Sequence, residues 1–354
     1  MKLMKIKPND ILFFRDGKPF DAGENMWMGT SFMPNPSVFY GAIFSAILAQ
    51  NSEHRNEILN LELEQVLELG KVYIYDEENK DLYMSVPLDL FKNDRGFVKM
   101  GRIKQDGLLY FPDGNYERVN NQYIKVSNFK NSYTKGMAGS ISIYNEDKFY
   151  TNSYKVGIKK SFQKSVEKDY LYRIDLMEFK GVDWNYAVEY CIKPEYIKLE
   201  DKGTIKLGGE GKSCKYEILD GISHKLPYDL NQLHDYENEI CPYEKAKMIL
   251  LSPGIYMKEG WRPSFENSSI KFHLGITDKP LYIGGFDLKK GKAKPMYRAV
   301  VAGSIYILES EEFKDKRLCE IKDFIKASIE GDCVDNFRGF NNFEIVGYGG
   351  QNDE

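Results

Sequence analysis

Cationic and aromatic side chains alternate closely in FFRDGKPF (13–20), NSYKVGIKKSFQK (152–164) and GWRPSF (260–265). Lysine and arginine contact phosphate groups, while tyrosine, phenylalanine and tryptophan rings stack on nucleobases, so this mixture is typical of surfaces that bind nucleic acid. Ordinary surface and core use the same residue types, and that alternative stays open for each segment. The candidate cations are Arg15, Lys18, Lys155, Lys159, Lys160 and Arg262.

Glycine-rich segments supply a second kind of phosphate contact. LGGEGKS (207–213) and RGFNNFEIVGYGG (338–350) stand at expected strand boundaries. Backbone N–H groups in such loops can hold a phosphate, which makes Gly208 and Gly209 candidates, although a plain tight turn is the alternative. A third segment, GGFDLKKGKAKP (284–295), is interpreted as a lysine-rich hairpin. The cations in it and just after it are Lys289, Lys290, Lys292, Lys294 and Arg298.

No set of residues assembles a catalytic centre. The four histidines occur in no zinc-protease motif and beside no nucleophile elbow. His54, at an expected helix start, is placed for acid–base work, but an exposed helix-end histidine is the simpler interpretation. The five cysteines are scattered without a C-x-x-C pair, which is typical of reduced thiols and unlike a zinc site. We therefore expect no catalytic residue, no metal and no cofactor.

The composition indicates a folded chain without a membrane span. Of the 354 residues 42% are apolar and 29% are charged, which excludes a wholly disordered protein. No apolar run approaches the roughly 20 residues of a membrane-spanning helix, and MKLMKIKPND lacks the apolar stretch of a secretory signal, so we expect a cytoplasmic protein. The net charge of −4 neither requires nor excludes a polyanionic partner, because 49 Lys and Arg can still cluster locally.

A long loop and a helix are expected to position the first group of candidates. Residues 15–37 are rich in Gly, Pro, Asn and Asp, as long functional loops often are. Ser37 predicts the N-cap of the helix that follows, because Pro34 and Pro36 would stop a helix before it. A helix N-terminus attracts phosphate, which makes Ser37 and Tyr40 candidates, although the Tyr40 ring can instead pack in the core.

The remaining patterns predict many strands and few helices. Strands are expected at 2–6, 71–75, 82–88, 155–159, 303–308 and 343–348, and further helices at 52–69, 194–202 and 311–329. Polar, Tyr-rich residues at 92–150 are interpreted as an insertion of irregular hairpins. The order predicts an α+β fold of tandem ferredoxin-like domains with β-hairpin insertions. We expect the first domain at 1–222, a connector at 223–244 and the second domain at 245–354.

Six blocks of the sequence, in order, resemble the third Cmr subunit of type III-B CRISPR effector complexes. The resemblance runs from about residue 8 to the end and leaves 92–150 unmatched. One departure is Gly339-Phe340-Asn341, where a glycine–aromatic–glycine loop is expected; Asn tolerates left-handed backbone, so the turn is expected to persist. The blocks are FFRDGKPFDAGE, FMPNPSVFYGAIFSAIL, KVGIKKSFQKSVEKDYLYRIDLM, LGGEGK, LLSPGIYMKEGWRP and YIGGFDLKKGKAKPMYRAVVAGSIYIL.

The resemblance implies a RAMP protein with two ferredoxin-like, RRM-related domains that is not a nuclease. Such a subunit lies beside the large Cas10-type subunit and a neighbouring backbone RAMP subunit, and it holds the 5′ repeat-derived tag of the CRISPR RNA. It meets target RNA only indirectly. The resemblance favours the tag as the ligand of Lys292, Lys294 and Arg298, whereas Lys289 and Lys290 are expected in solvent or against protein.

The resemblance also implies a thumb-like hairpin, which we expect within residues 120–150, reaching away from the first domain. Met137, flanked by Gly136 and Gly139, would be its apolar tip. An apolar tip can wedge between stacked bases, which would bring Met137 to the RNA. A flexible surface loop without such a contact is the alternative.

Two other function classes remain open from the sequence. A metal-independent endoribonuclease that processes CRISPR RNA is also built from paired ferredoxin-like domains, and it would use His54 as the general base. A β-rich protein that binds or cleaves carbohydrate is suggested by the abundance of Tyr together with Trp. Metal-free cleavage of repeat RNA would favour the first, and glycan binding without RNA binding the second.

Overall fold

The computed structural model describes residues 1–15, 27–103, 109–110, 112–119, 121–160, 166–219, 235–287 and 292–349. It is a mixed α/β structure, rich in sheet and with few helices. The helices of the described residues are α1 Pro36–Gln50, α2 Arg55–Asn60, α3 Leu63–Val66, α4 Val126–Asn128 and α5 Leu318–Ile329.

Sixteen of the strands in the described residues belong to the first part of the chain. They are β1 Lys2–Pro8, β2 Trp27–Met28, β3 Leu67–Asp76, β4 Asp81–Ser85, β5 Leu90–Asn93, β6 Val98–Met100, β7 Arg102–Ile103, β8 Leu109–Tyr110, β9 Tyr116–Arg118, β10 Gln122–Lys125, β11 Ile143–Asn145, β12 Tyr150–Lys160, β13 Val166–Phe179, β14 Trp184–Ile192, β15 Lys202–Leu207 and β16 Lys212–Leu219.

Shorter strands follow in the second part. They are β17 Ile240–Cys241, β18 Lys245–Leu250, β19 Lys271–Ile276, β20 Leu281–Ile283, β21 Phe286–Asp287, β22 Lys292–Ala293, β23 Tyr297–Ala299, β24 Ile305–Glu309, β25 Lys316–Arg317 and β26 Phe343–Gly347.

An antiparallel sheet of eight strands, in the order β11-β10-β4-β3-β14-β1-β16-β15, is the centre of the first half. Helix α1 covers one face of it, burying Phe39, Ile43 and Ile47 against strand residues such as Ile74 and Tyr186. The helix is apolar nearly all round, which is typical of a helix enclosed on several sides.

The second half contributes a four-stranded antiparallel sheet, β19-β24-β18-β26, whose two faces are both buried. On β18, Ile249 packs with Tyr75 of the large sheet. The preceding residue, Met248, points to the opposite face and packs with Ile321 and Ile325 of α5. Because side chains alternate across a strand, the two sheets stack face to face and the helices lie outside. The order of layers is α1, large sheet, small sheet, α5.

The two halves share one strand order. In the first half the central strands run β3-β14-β1-β16, and in the second half β19-β24-β18-β26. When the four strands are numbered in chain order within each half, their order across the sheet is second, third, first, fourth in both halves. The helix falls in different connections: α1 lies between the first and second strands of its half, and α5 between the third and fourth of its own.

Buried polar contacts join the halves where their sheets meet. Lys247 Nζ lies 2.6 Å from Asp89 Oδ2, and Lys71 forms an ion pair with Glu344. The backbone N–H of Leu88 donates to the carbonyl of Gly303 at 2.9 Å. Buried charges of this kind are tolerated only when paired, so the contacts fix how one half sits on the other.

The predicted N-cap of the first helix is wrong by two residues. Asn35, not Ser37, is the N-cap, and its side chain makes no capping hydrogen bond. Pro36 is the first helical residue instead of a stop, because a helix does not need the N–H that proline lacks at that position.

Three other predicted helices are interrupted or absent. The pattern at 52–69 yields only α2 and α3, and the chain is extended from Leu67 onwards. Residues 194–202 form a turn without a helix. Ser310 caps only the 3₁₀ turn Glu311–Phe313, accepting from the N–H of Glu312, and α5 begins later.

The predicted thumb within 120–150 is also wrong. Strands β10 and β11 belong to the edge of the large sheet, and between them Phe129 and Tyr133 are buried in the core that the two halves share. The long hairpin is instead β12–β13, which pairs from Tyr150 with Phe179 outward and has a register shift between Ile158 and Lys160.

Candidate functional site

A cleft of about 630 Å³ lies between the two halves. The loop 31–36 and strand ends of the large sheet form one wall, and residues 251–253 and 278–302 form the other. Its volume and its mostly apolar lining with a few polar groups are typical of a ligand site. Polar and charged lining residues are Arg15, Ser31, Asn35, Ser85, Asn121, Gln122, Glu146, Ser252 and Asp278.

Arg15 reaches this cleft because the chain around it is held by backbone pairing. Arg15 forms a β-bridge with Thr30, and the N–H of Ser31 donates to the carbonyl of Phe14 at 3.1 Å. The Thr30 hydroxyl accepts from the N–H of Phe14 at 3.0 Å. The exposed guanidinium of Arg15 is therefore presented at the wall of the cleft from an ordered segment.

The N-terminus of α1 opens into the same cleft. Asn35 and Pro36 line it, no side chain caps the helix, and the first turn carries no acidic residue. Helix N-termini carry partial positive charge and free N–H groups, so this end of α1 favours an anion. Ser37 follows at the half-buried second helical position and is not a lining residue.

Tyr40 belongs to the core, which rejects its assignment to the RNA surface. Its hydroxyl donates to the carbonyl of Leu63 at 2.9 Å, and its ring stacks on Phe44. Burial raises the pKa of Tyr40, because the ionised phenolate would lose its hydration.

Burial changes the acidity of one of the acidic residues that line the cleft, Glu146. Glu146 accepts a hydrogen bond from the Tyr150 hydroxyl at 3.0 Å, and burial raises the pKa of its carboxyl group despite that bond. A raised pKa means that burial disfavours the ionised carboxylate of Glu146, the form that would repel an anion.

Cations of the second half stand beside the cleft. Tyr282 lines the cleft on β20 and pairs across the strands with Arg298 of β23, which is exposed. Lys292 and Lys294 are exposed on the segment that precedes β23. The backbone N–H of Lys294 donates to the carbonyl of Gly285 at 2.9 Å. The structure thus brings the lysine-rich segment and Arg15 to the same region. Lys289 and Lys290 lie outside the described residues, as does Lys18.

The glycine pair is engaged inside the protein. Gly208 has a φ of +76°, and the N–H of Gly209 donates to the carbonyl of Phe13 at 2.7 Å. A Cβ on Gly208 would lie 2.6 Å from that same carbonyl oxygen. The tight-turn alternative accounts for these glycines, since the N–H of Gly209 is already used.

The loop Gly339-Phe340-Asn341 keeps its turn, with φ of +88° at Gly339 and +59° at Asn341. The Asn341 side chain accepts from the N–H of Ile255 at 2.6 Å and donates to the carbonyl of Val334 at 2.9 Å. This asparagine therefore stabilises the loop through internal hydrogen bonds.

The remaining candidates are dispersed. Arg262 lies with its guanidinium 4.4 Å from the Phe272 ring centre and is not a lining residue of the cleft. Lys155 is exposed on β12, and Lys159 and Lys160 continue that strand, with side chains outside the described part. Met137 is 48% exposed and precedes the buried Ala138.

Sequence reasoning missed an exposed aromatic group at the base of β12–β13. Trp27 and Tyr154 flank Arg173 there. The segment 152–164 pointed to Tyr154, but nothing local links it with Trp27, which is 127 positions earlier and reaches β13 only through the parallel pairing of β2.

The groups suited to catalysis are not brought to the cleft. His54 Nδ1 lies 3.0 Å from Glu57 Oε2 on α2, and neither residue lines the cleft. Among the described residues no three His, Cys, Asp or Glu side chains are grouped closely enough to hold a metal ion. None of the helices in the described part of the chain has the length and apolar character of a membrane span.

Two solved structures share this fold. A chain of "Cryo-EM structure of the Type III-B Cmr-beta bound to cognate target RNA and AMPPnP, state 1" is 18% identical, with a TM-score of 0.52 over 97% of this chain and 96% of that chain. A chain of "Cryo-EM structure of the Type III-B Cmr-beta bound to cognate target RNA" gives the same identity and coverages and a TM-score of 0.50. At this identity the likeness shows the fold alone.

None of the curated proteins matches the chain. The family described as CRISPR-associated protein (Cas_Cmr3), in contrast, matches residues 4–350, which is nearly the whole sequence. The resemblance to the third Cmr subunit is thereby confirmed: the chain belongs to the Cas_Cmr3 family of CRISPR-associated proteins.

Proposed function

We propose that the chain is a non-catalytic structural subunit of a type III-B CRISPR effector complex in the cytoplasm. In this role it holds the 5′ repeat-derived tag of the CRISPR RNA and docks the large Cas10-type subunit and a neighbouring RAMP subunit. It contacts target RNA indirectly. Membership of the Cas_Cmr3 family supports this assignment, and the similar chains come from complexes whose titles name a bound cognate target RNA.

The observation that carries the proposal is the cleft between the halves. Arg15 and the uncapped N-terminus of α1 offer two positive groups to a phosphate on one wall, and Arg298, Lys292 and Lys294 stand beside the other. Apolar lining between them suits a base whose edges meet the polar groups of Gln122 and Asn121. Single-stranded RNA is bound in this way, with bases splayed into pockets and phosphates held by cations and N–H groups.

The tandem ferredoxin-like architecture is proposed on the shared strand order. Both halves place their strands second, third, first, fourth, as two copies of one antiparallel unit would. The proposed first domain at 1–222 holds the large sheet, and the second at 245–354 holds the small sheet. Within the connector at 223–244, β17 pairs with β25 of the second domain.

A direct test measures guide RNA retention by the assembled complex as salt is raised. For single-stranded RNA each lost phosphate contact reduces the slope of log affinity against log salt by about 0.7. We expect Arg15→Ala to reduce the slope by one such step, and Lys292→Ala with Lys294→Ala by up to two. Arg55→Ala is the matched control, because Arg55 is exposed on α2 and does not line the cleft.

If Arg15→Ala leaves both the guide RNA affinity and its salt slope unchanged, the segment that carries Arg15 has only a structural role. A double lysine variant that keeps its RNA but no longer joins the large subunit would make the hairpin a protein contact. Cleavage of repeat RNA that survives repurification and disappears in His54→Ala would replace the proposal with the endoribonuclease.

A further inference from the structure

Strands β12, β13 and β2 form a small sheet with one exposed aromatic face. On it Arg173 of the central strand lies between Tyr154 of β12 and Trp27 of β2, its guanidinium carbon 4.6 Å from the Tyr154 ring centre and 5.6 Å from that of Trp27. The Trp27 and Tyr154 side chains are 64% and 62% exposed, and Val156 beside them is also exposed. Large aromatic groups left in solvent on one face mark a surface that meets a partner.

This face is preorganised by one carboxylate. Asp175 accepts from the indole Nε1 of Trp27 at 2.6 Å through one oxygen and from Arg173 Nε at 2.8 Å through the other. The polar edges of both groups are fixed, while their flat surfaces stay open to solvent. A partner therefore meets rings that are already oriented, and less side-chain entropy is lost on binding.

The planar side chains of the face favour a nucleic acid strand over a protein. In the sequence, residues 150–179 contain six Lys and Arg against four Asp and Glu, so this segment is more basic than the chain as a whole, whose net charge is −4. The flat groups are also interrupted by a guanidinium, which divides the apolar area that a protein contact would need. Aromatic and guanidinium planes on a sheet are a sequence-tolerant support for unpaired bases, and adjacent cations follow the phosphates.

The face continues the cleft along the chain. Thr30 pairs with Arg15 at the cleft and Ser31 lines it, while Trp27 is only three residues before Thr30. Three extended residues span at most about 10 Å, so one RNA strand can contact both places.

We propose that the face formed by Trp27, Arg173 and Tyr154 stacks unpaired bases of the guide RNA next to the segment held at the cleft. This rests on the proposed function, since it assumes that the guide lies along Arg15. It assigns to this chain a second, non-ionic contact with the guide, made by stacking.

The test uses Trp27→Ala and Tyr154→Ala in the assembled complex, with guide affinity measured across a salt series. Removing an aromatic support for a base lowers affinity by about 5- to 150-fold. Because stacking releases no counterions, we expect each variant to shift affinity while the salt slope stays that of the wild type. Trp27→Phe is expected to recover part of the loss. Phe97→Ala, at an equally exposed aromatic residue on the β5–β6 turn, is the matched control and is expected to bind like wild type.

Wild-type affinity in both alanine variants would overturn the stacking proposal. So would a Trp27→Ala complex that keeps its guide and loses a subunit, because the face would then be a protein contact. The two failures are distinguishable: an effect of Arg15→Ala without one of Trp27→Ala rejects the face and keeps the cleft, whereas unchanged affinity and salt slope in Arg15→Ala removes the premise on which the face depends. Thermal midpoints of all variants exclude a loss of folding as the cause.

Discussion

The buried ion pair between Lys247 and Asp89 is expected to decide whether the halves stay joined. The Nζ–Oδ2 distance is 2.6 Å, and the side chains are 5% and 1% exposed. Asp89 also accepts from the Tyr133 hydroxyl at 2.9 Å, and the ammonium group of Lys247 lies 5.1 Å from the Tyr348 ring centre. The change we consider is Asp89→Asn, which keeps the volume and removes the charge that balances Lys247.

Removing one partner of a buried pair costs about 3–5 kcal/mol, because the other charge stays buried without compensation. We expect Asp89→Asn and Lys247→Met each to lower the free energy of unfolding by that amount. Replacing both at once, Asp89→Asn with Lys247→Met, removes the uncompensated charge and is expected to recover most of the loss. The double-mutant cycle should therefore give a coupling of about 3 kcal/mol or more.

Equilibrium unfolding in urea, followed by circular dichroism and tryptophan fluorescence, measures these differences. Lys202→Ala is the control, since Lys202 pairs with Glu217 at 2.6 Å but its side chain is 75% exposed, and exposed pairs contribute about 0–1 kcal/mol. Leu88, which precedes Asp89, lines the cleft, so the single variants are also expected to retain less guide RNA. A double variant as unstable as the worse single variant, or an Asp89→Asn variant no weaker than the control, would refute the reasoning.

Three further outcomes follow from single groups. Burial raises the pKa of Glu146 in the folded state, so its contribution to stability is present at low pH and is lost as pH rises through that pKa. Glu146→Gln should therefore raise the thermal midpoint more at pH 8 than at pH 4. Equal shifts at the two pH values would contradict this. Met137→Ser should leave the thermal midpoint unchanged, because this side chain is exposed. Deleting residues 134–140 removes the buried Ala138 and should abolish cooperative unfolding. A deletion variant that is still stable would restore the flexible-loop interpretation. Burial raises the pKa of the Cys214 thiol to about 12. Iodoacetamide at pH 8 should therefore label the more exposed Cys319 first, which mass spectrometry can follow. Early labelling of Cys214 would contradict its burial.

Local signals predicted the parts of the fold that local physics decides. The β3–β4 hairpin and the last strand follow from alternating apolar residues with a turn between them, and both are present. The body of α1 follows from its apolar residues, but its first residue does not, because Pro36 suits a helix start as well as a stop.

Errors arose where distant residues decide the local conformation. Residues 120–150 read as a projecting hairpin, yet β10 pairs with β4 and buries its neighbours under the second half. The cleft could not be predicted either, because Arg15 and Tyr282 come from opposite halves of the sequence. Among the candidate site residues, the positive charge of Arg15, Lys292, Lys294 and Arg298 pointed correctly to residues near the cleft. Tyr40 was assigned wrongly, because an aromatic ring on a helix is equally compatible with an RNA-binding surface and with the core.

The pairing of Lys71 with Glu344 has a consequence for synthesis on the ribosome. The carboxylate that Lys71 contacts is 273 residues further along the chain, and Asn342 donates to the carbonyl of Gly70 at 3.2 Å. Chains emerge at about 5–20 residues per second, so the nascent large sheet waits about 15–50 s for the segment that completes its seam. Assembly with other subunits therefore cannot draw on a finished seam between the halves until translation has ended. A stop codon ahead of β26 would yield a chain whose small sheet lacks an edge strand and whose large sheet lacks the Glu344 carboxylate that Lys71 contacts.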